Sequence, residues 1–155
     1  MSNSELKIDL IDRRILEHLA SDSRKTYNEI AGDLKLATAT IHSRVARLRQ
    51  SGVIKGSHVD LDFQKLGFLV TSFIGVNLAS ANGVSPVVEK LNSFNEVTSV
   101  HYTTGQYSLF VKVVTKTTQD LHLFLINKLQ TLDEISSTET FISLDNPFGR
   151  SRTLE

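Results

Sequence analysis

Five cations and no acid lie between Lys35 and Lys55: Lys35, Arg44, Arg47, Arg49 and Lys55. The acid-free stretch continues to Val59, in a chain of 155 residues whose formal net charge is zero. Lysine neutralises phosphate as a point charge. Arginine's planar fork can also pair bidentately with guanine, which is worth roughly 1–3 kcal/mol of discrimination per pair. Ser and Thr hydroxyls more often hold phosphate oxygens. The chemistry on offer is DNA binding, with Lys35, Thr38, Thr40, Ser43, Arg44, Arg47, Arg49 and Lys55 as candidate contacts. The plainer alternative is a solvated cationic helix in a small bundle, which charge alone does not reject.

A second constellation is Thr103-Thr104-Gly105-Gln106-Tyr107. Its hydroxyls, amide and exposed backbone can grip a small polar molecule, and glycine lets the main chain approach closely. A β-hairpin with turn-compatible residues explains the same segment equally well. His58-Val59-Asp60-Leu61-Asp62 puts a histidine and two carboxylates on one strand face. That is a possible metal site, but a polar strand face is far commoner. Asp133-Glu134 reads more simply as a turn after a helix than as an acid pair. The histidines are scattered at 18, 42, 58, 101 and 122, and there is no phosphate loop, HExxH or GxSxG. No catalytic residue, metal or cofactor is expected, so the chain does not read as an enzyme.

The totals narrow the class further. Hydrophobic residues make up 40% and charged residues 22%, ordinary for a globular protein. No apolar run approaches a membrane span. Met1 to Glu5 lacks the regions of a signal peptide. Cysteine is absent, which excludes disulfides, thiolate metal sites and cysteine nucleophiles. A cytoplasmic protein is expected. Residues 1–57 hold ten Lys/Arg and seven Asp/Glu, a net of +3, while residues 58–155 hold seven and ten, a net of −3. A basic binding head on an acidic body gives that asymmetry.

These candidate groups need elements to position them. Asp9 can cap a helix with Ile11, Ile15, Leu16 and Leu19 on one face, and Asp12 adds a carboxylate near its positive end. Thr26-Tyr27-Asn28-Glu29 spells a capping box for a short helix with Ile30 and Leu34 inward. A third helix from Thr38 carries Ile41, Val45 and Leu48 inward, so that Thr40, Ser43, Arg44 and Arg47 fall outward. Gly52 stops it, and Val53 to Gly56 reads as a strand, the start of a wing.

After Gly67 the period changes. Phe68, Val70, Ile74, Val76 and Leu78 alternate, with Ser72 interrupting. Ser85-Pro86 offers a cap and first-turn proline for a helix through Val87, Val88, Leu91 and Phe94. Val97–Thr103 and Tyr107–Thr115 flank a hairpin, Leu121 to Leu132 marks another helix, and Thr138–Leu144 is a last strand. The order is β-α-β-β-α-β, a ferredoxin-like arrangement. The fold class is therefore α+β: residues 1–57 a winged helix-turn-helix, 58–67 a connector with a possible strand at Val59-Asp60-Leu61, and 68–155 the ferredoxin-like domain. Two helices cover only one sheet face, yet Leu109, Val111 and Val113 alternate with Phe110 and Val114. The uncovered apolar face predicts a homodimer.

Four segments carry a resemblance. Leu10-Ile11-Asp12-Arg13-Arg14-Ile15-Leu16 and Thr40 to Leu48 followed by Ser51-Gly52-Val53-Ile54 are two of them; Tyr102 to Ser108 and Lys128 to Thr140 are the others. In this order they resemble the Lrp/AsnC (feast/famine) transcriptional regulators. The resemblance implies a winged head, a ferredoxin-like effector domain, dimers commonly assembled into octamers, and a free amino acid bound between dimers. The matching effector positions are Tyr102, Thr103, Thr104, Gly105, Gln106 and Tyr107 from one side. Gln130, Asp133, Glu134, Ser136 and Thr138 come from the other. Glu134 or Asp133 would meet the ammonium, backbone N–H groups the carboxylate, and Gln130 a side-chain amide. The wording after Asp133, with Asn146-Pro147 beyond it, is similar to the asparagine-responsive branch. This implies asparagine as effector, ahead of leucine, methionine or glutamine, and control of asparagine synthesis genes. Where the family begins its recognition helix with Ser-Pro, this chain has Ala37-Thr38, so Thr38 is expected to cap one residue later. The alternative is an amino-acid-sensing module without specific DNA binding.

Overall fold

The computed structural model of the chain describes residues 7–57, 59 and 61–146. The chain divides into two compact units between positions 60 and 61.

The first unit is three helices: α1 (Leu10–Ser21), α2 (Tyr27–Leu34) and α3 (Thr38–Gln50). Asp9 and Asp12 form one reciprocal capping box, and Thr26 and Glu29 form another. Each satisfies backbone N–H groups that the first helical turn leaves without partners. Ile15, Ile30, Ala31, Ile41 and Val45 make the core, with Ile11, Leu19, Tyr27, Leu34, Leu36 and Ile54 packed against it.

Two local expectations fail here. Thr38 does not cap α3: Ala37 holds that position with no side-chain bond, and the Thr38 hydroxyl donates to Asn28 Oδ1 at 2.8 Å. Val53 to Gly56 is not a strand, nor are Val59 and Leu61; Asp60 lies outside the described residues. Gly52 takes φ +76° and the Ile54 N–H bonds the Leu48 carbonyl at 3.1 Å. The segment after α3 thus completes the helix end, and Ile54 turns into the core rather than joining a ladder.

The second unit is an antiparallel sheet of order β2-β3-β1-β4 with helices on one face. Its elements are β1 (Val70–Leu78), α4 (Val84–Asn92), β2 (Val97–Tyr102), β3 (Leu109–Thr115), α5 (Thr118–Phe124) and β4 (Ile135–Ile142). Ser72 keeps the alternation: it is fully buried in phase with Val70, Ile74 and Val76. Its hydroxyl reaches the Val113 carbonyl at 3.5 Å. The core joins Ile74, Val76, Leu109, Val111 and Val113 of the sheet to Val87, Leu91, Leu121, Phe124 and Leu129.

α4 begins one residue earlier than Ser85, at Val84, behind Gly83, which supplies no side-chain cap. Ala81–Gly83 is already a tight helical turn that leads the chain in. The last helix is shorter than its apolar spacing predicts. α5 ends at Phe124 and widens into one π-type turn, Leu125–Leu129, with the Gln130 N–H on the Leu125 carbonyl at 2.8 Å. That turn keeps Leu129 buried while ending the helix early enough for β4 to start at Ile135.

The uncovered face is aromatic. Phe73 and Phe110 stack at 6.0 Å between centroids, and Phe141 and Tyr107 lie 6.5 and 6.2 Å from Phe110.

Candidate functional site

α3 presents Ala39, His42, Ser43, Ala46, Arg47, Arg49 and Gln50 as its exposed residues, while Thr40 and Arg44 are half-buried on one flank. The expectation that Arg44 points outward is corrected by that placement. Arg44 Nη1 donates to Asp9 Oδ2 at 2.7 Å and to Asp12 Oδ1 at 2.9 Å. Arg47 Nη2 donates to Asp12 Oδ2 at 2.5 Å and keeps 45% of its side chain exposed. The cause is Asp12, which is fully buried; an ionised carboxylate there needs strong donors, and charge-assisted bonds from guanidinium are the strongest available.

The electrostatics follow from these bonds. The Asp12 backbone N–H and then the Arg44 guanidinium pull the Asp9 carboxyl down to about 2. Hydrogen bonds to Asp9 and then Asp12 raise Arg44 above its ordinary value.

The remaining cations sit around this helix. Lys35 occupies the turn between α2 and α3 at φ +53°, an exposed left-handed residue. Arg49 and Lys55 are exposed, as is Ser43. Sequence reasoning missed His42, an exposed residue whose ring packs edge-on to Tyr27 at 4.6 Å. Its helical spacing from Ala46 and Arg49 was the signal that could have found it.

The second site builds on the end of β1. The Leu78 N–H reaches Ser108 Oγ at 3.4 Å, and the Ala79 N–H bonds the Glu134 carbonyl at 2.8 Å. The β2–β3 hairpin and the segment before β4 therefore flank one strand end. Thr103 Oγ1 donates to the Tyr107 carbonyl at 2.7 Å, and Ser136 Oγ to the Asn77 carbonyl at 3.1 Å. Gly105 takes φ +114°, and a Cβ there would meet nothing within 4 Å. Its reason is the turn itself.

The nominated effector residues do not all share a face. Thr138 pairs with Val76, on the side the helices cover. Tyr107 lies on the other side: its ring sits over Gly75, where a Cβ would come within 2.6 Å of ring atoms. Its hydroxyl donates to Glu139, and that bond raises the phenol above its ordinary value. Gly75 and Glu139 were missed in the sequence, although an isolated glycine inside a strand signals close approach. Tyr102, Thr104, Gln106, Gln130, Asp133 and Glu134 are exposed around the same sheet end. Glu134 Cβ would lie 3.1 Å from a Cβ added at Gly83, so it adjoins the start of α4.

The metal reading at His58 and Asp60 falls outside the described residues. Asp62 pairs instead with Lys65 at 3.4 Å. Among the described residues, no helix is long and apolar enough to cross a membrane.

Residues 8–55 match the family of winged helix-turn-helix DNA-binding domains, and residues 71–153 match the Lrp/AsnC ligand binding domain. Together with the relatives below they define the class: an amino-acid-responsive, DNA-binding transcriptional regulator. The regulatory protein AsnC of Haemophilus influenzae is 49% identical over 143 residues, covering 92% of this chain and 95% of that protein. Regulatory protein AsnC of Escherichia coli is 45% identical over 144 residues, covering 93% and 95%. The solved structure of Escherichia coli AsnC superposes with a TM-score of 0.89 at 44% identity, covering 96% of this chain and 99% of that one. The chain belongs to the Lrp/AsnC family.

Proposed function

We propose that this regulator senses asparagine and controls asparagine synthesis genes. It does so from the cytoplasm, as a homodimer built on the uncovered sheet face and assembled further to an octamer. The observation that carries the effector reading is the convergence of the hairpin and the pre-β4 segment on the end of β1, through the Leu78 and Ala79 amides. A small amino acid at that end meets hydroxyls from Thr103, Thr104 and Ser136, carboxylates from Asp133 and Glu134, and the Gln106 and Gln130 amides. The names of the relatives favour asparagine over leucine, methionine or glutamine. Tyr107 and Thr138 serve this site from opposite faces of the sheet, and Tyr102 and Gly105 shape the hairpin. The molecule is a sensor and carries no reaction of its own.

On the DNA side, Ser43, Arg47 and Arg49 are proposed for the groove, with His42 beside them. Lys35 and Lys55 meet phosphate, as does Thr40 near the start of α3. Thr38, whose hydroxyl donates to Asn28, meets it through its first-turn backbone N–H. Residues 1–57 then act as the head, 58–67 as the connector and 68–155 as the effector and assembly domain. Effector binding shifts the population of dimer–dimer geometries and so the spacing at which paired heads meet DNA.

A thermal-shift screen across the twenty amino acids tests the effector. Asparagine should raise the melting temperature of the full chain by mass action, more than any other amino acid. A shift with leucine or methionine instead would reassign the effector, and no shift with any would remove the site.

A further inference from the structure

Asp12 is the one fully buried charged side chain among the described residues, and two arginines of the reading helix converge on it. It accepts from the Asp9 N–H at 3.1 Å, Arg44 Nη1 at 2.9 Å and Arg47 Nη2 at 2.5 Å. Asp9 adds a second carboxylate on Arg44. Asp9, Asp12, Arg44 and Arg47 thus form a cluster with no net charge. Two of the five cations that mark this stretch are neutralised from within the protein.

The two arginines are held to different degrees. Arg44 keeps 23% of its side chain exposed and bonds both carboxylates, while Arg47 keeps 45% and bonds Asp12. A guanidinium has five donors in a rigid fork, so fixing one nitrogen orients the others. A free guanidinium beside DNA would neutralise any phosphate in reach. Each phosphate neutralised adds affinity without sequence information and steepens the salt dependence. An arginine held by a buried carboxylate loses that freedom and keeps one orientation.

We propose that Asp12 is a positioning residue for DNA discrimination: it holds Arg44 and Arg47 off the phosphate backbone and aims the Arg47 fork at one place in the groove. Non-specific binding is thereby kept low, and the difference between right and wrong sites is kept large. The inference rests on α3 being the reading helix.

The test is Asp12→Asn in the full chain. Asparagine is close to isosteric and can still accept from the Asp9 N–H, so the change removes charge while leaving the capping geometry available. Two probes are compared across a salt series: a duplex selected by the wild-type chain from a random-sequence pool, and poly(dI-dC). Asp12→Asn should bind poly(dI-dC) more tightly, with a log–log salt slope steeper by about 0.9 for each guanidinium released. The ratio of specific to non-specific affinity should fall by roughly 5- to 150-fold, the discrimination that one bidentate arginine–guanine pair supplies. A merely structural role lowers affinity for both probes and leaves the slope unchanged or shallower, and that result overturns the proposal. If Asp12→Asn does not fold, Arg47→Ala carries the test, since Arg44 still pairs with Asp12. An Arg47 held off phosphate predicts an unchanged salt slope on poly(dI-dC) and a specific-to-non-specific ratio lower by roughly 5- to 150-fold. A slope shallower by about 0.9 with an unchanged ratio means that Arg47 neutralises phosphate freely, and that result overturns the proposal. A wild-type chain with a flat salt profile on both probes removes α3 as the reading helix. A steep wild-type slope left unchanged by Asp12→Asn removes only the role of Asp12.

Discussion

The helical unit and the sheet unit draw on the same forces in different proportions. The sheet unit too has a capping box, Thr117 with Asp120, and an ion pair, Lys128 with Glu96 at 2.7 Å, but its core is mainly apolar. The sheet unit buries a continuous apolar layer, from Val70, Ile74 and Val76 through Leu109, Val111 and Val113 to Leu91, Phe124 and Leu129. Its buried polar groups among the described residues, Ser72 and Thr115, are minor insertions. The helical unit buries five residues in its cluster and adds two capping boxes and a buried carboxylate with two guanidiniums. Burial is non-directional and scales with area, whereas caps and ion pairs demand geometry and respond to pH and salt. A DNA-reading unit must keep cations on its surface. It gains rigidity by pairing some of them inward, while the sheet unit has no such demand.

The largest test of this contrast is in the sheet unit. Phe124→Ala should lower its stability by about 3–5 kcal/mol. Calorimetry should show the transition of the sheet unit falling while that of the helical unit stays. Equal shifts in both would mean that the two do not unfold as separate units.

Gly75→Ala should cost about 1–3 kcal/mol, because its Cβ would meet the Tyr107 ring and force it off the strand. Hydrogen exchange should quicken across the Thr103–Ser108 hairpin more than at α4. In the helical unit, Thr26→Ala removes a cap and should cost about 1 kcal/mol, read as a lower melting temperature of that unit alone.

The smallest effect expected is on pH. Asp9 is lowered to about 2, first by the Asp12 N–H and then by Arg44; Glu29 is lowered by Thr26, and Asp33 by Lys25. Each folded value lies below the ordinary one, so the stabilisation is present above the ordinary carboxylate range and is lost as pH falls toward 2. All three groups are on the surface, so each contributes little. In the sheet unit, burial is the largest single influence on Glu96 and works to raise it. The Lys128 hydrogen bond, a backbone hydrogen bond of Glu96 itself and the Lys128 charge together outweigh it, and the net shift is downward. An acid titration followed by calorimetry should weaken the helical unit first. At the alkaline end Tyr107 is raised above 10.0, so the stability it adds through Glu139 is lost as pH climbs through its folded value. The sheet unit alone should feel that change.

Much of the fold was legible because its signals are local. Thr26 announces its capping box three residues ahead of Glu29, Asp9 announces a cap, and Leu109, Val111 and Val113 announce a strand by alternation. Asp12, in contrast, reads only as a dipole carboxylate, and its return bond to Asp9 emerges in the structure. Misreadings occurred where a local signal had a competitor elsewhere in the chain. Ser85-Pro86 looks like a helix start, but the turn at Ala81–Gly83 had already begun one. Ile54 looks like a wing strand, but its N–H closes α3 and its side chain joins the helical core. The apolar spacing from Leu121 to Leu132 reads as one helix, yet burying Leu129 takes a π-type turn.

For the sites, the sequence by itself determined which chemistry is present: an acid-free cationic helix, a glycine hairpin and an acidic segment before the last strand. Charge and residue type are properties of the chain and need no fold. Only the tertiary structure decided which of those groups engage one another. Asp12 meets Arg44 and Arg47 across 32 and 35 residues, and Tyr107 meets Glu139 across 32. A helical period can place Arg44 on a flank, but whether that flank faces water or a buried carboxylate is set by how α1 packs on α3. Burial removes water as the competing partner for these charges, and no local pattern records that.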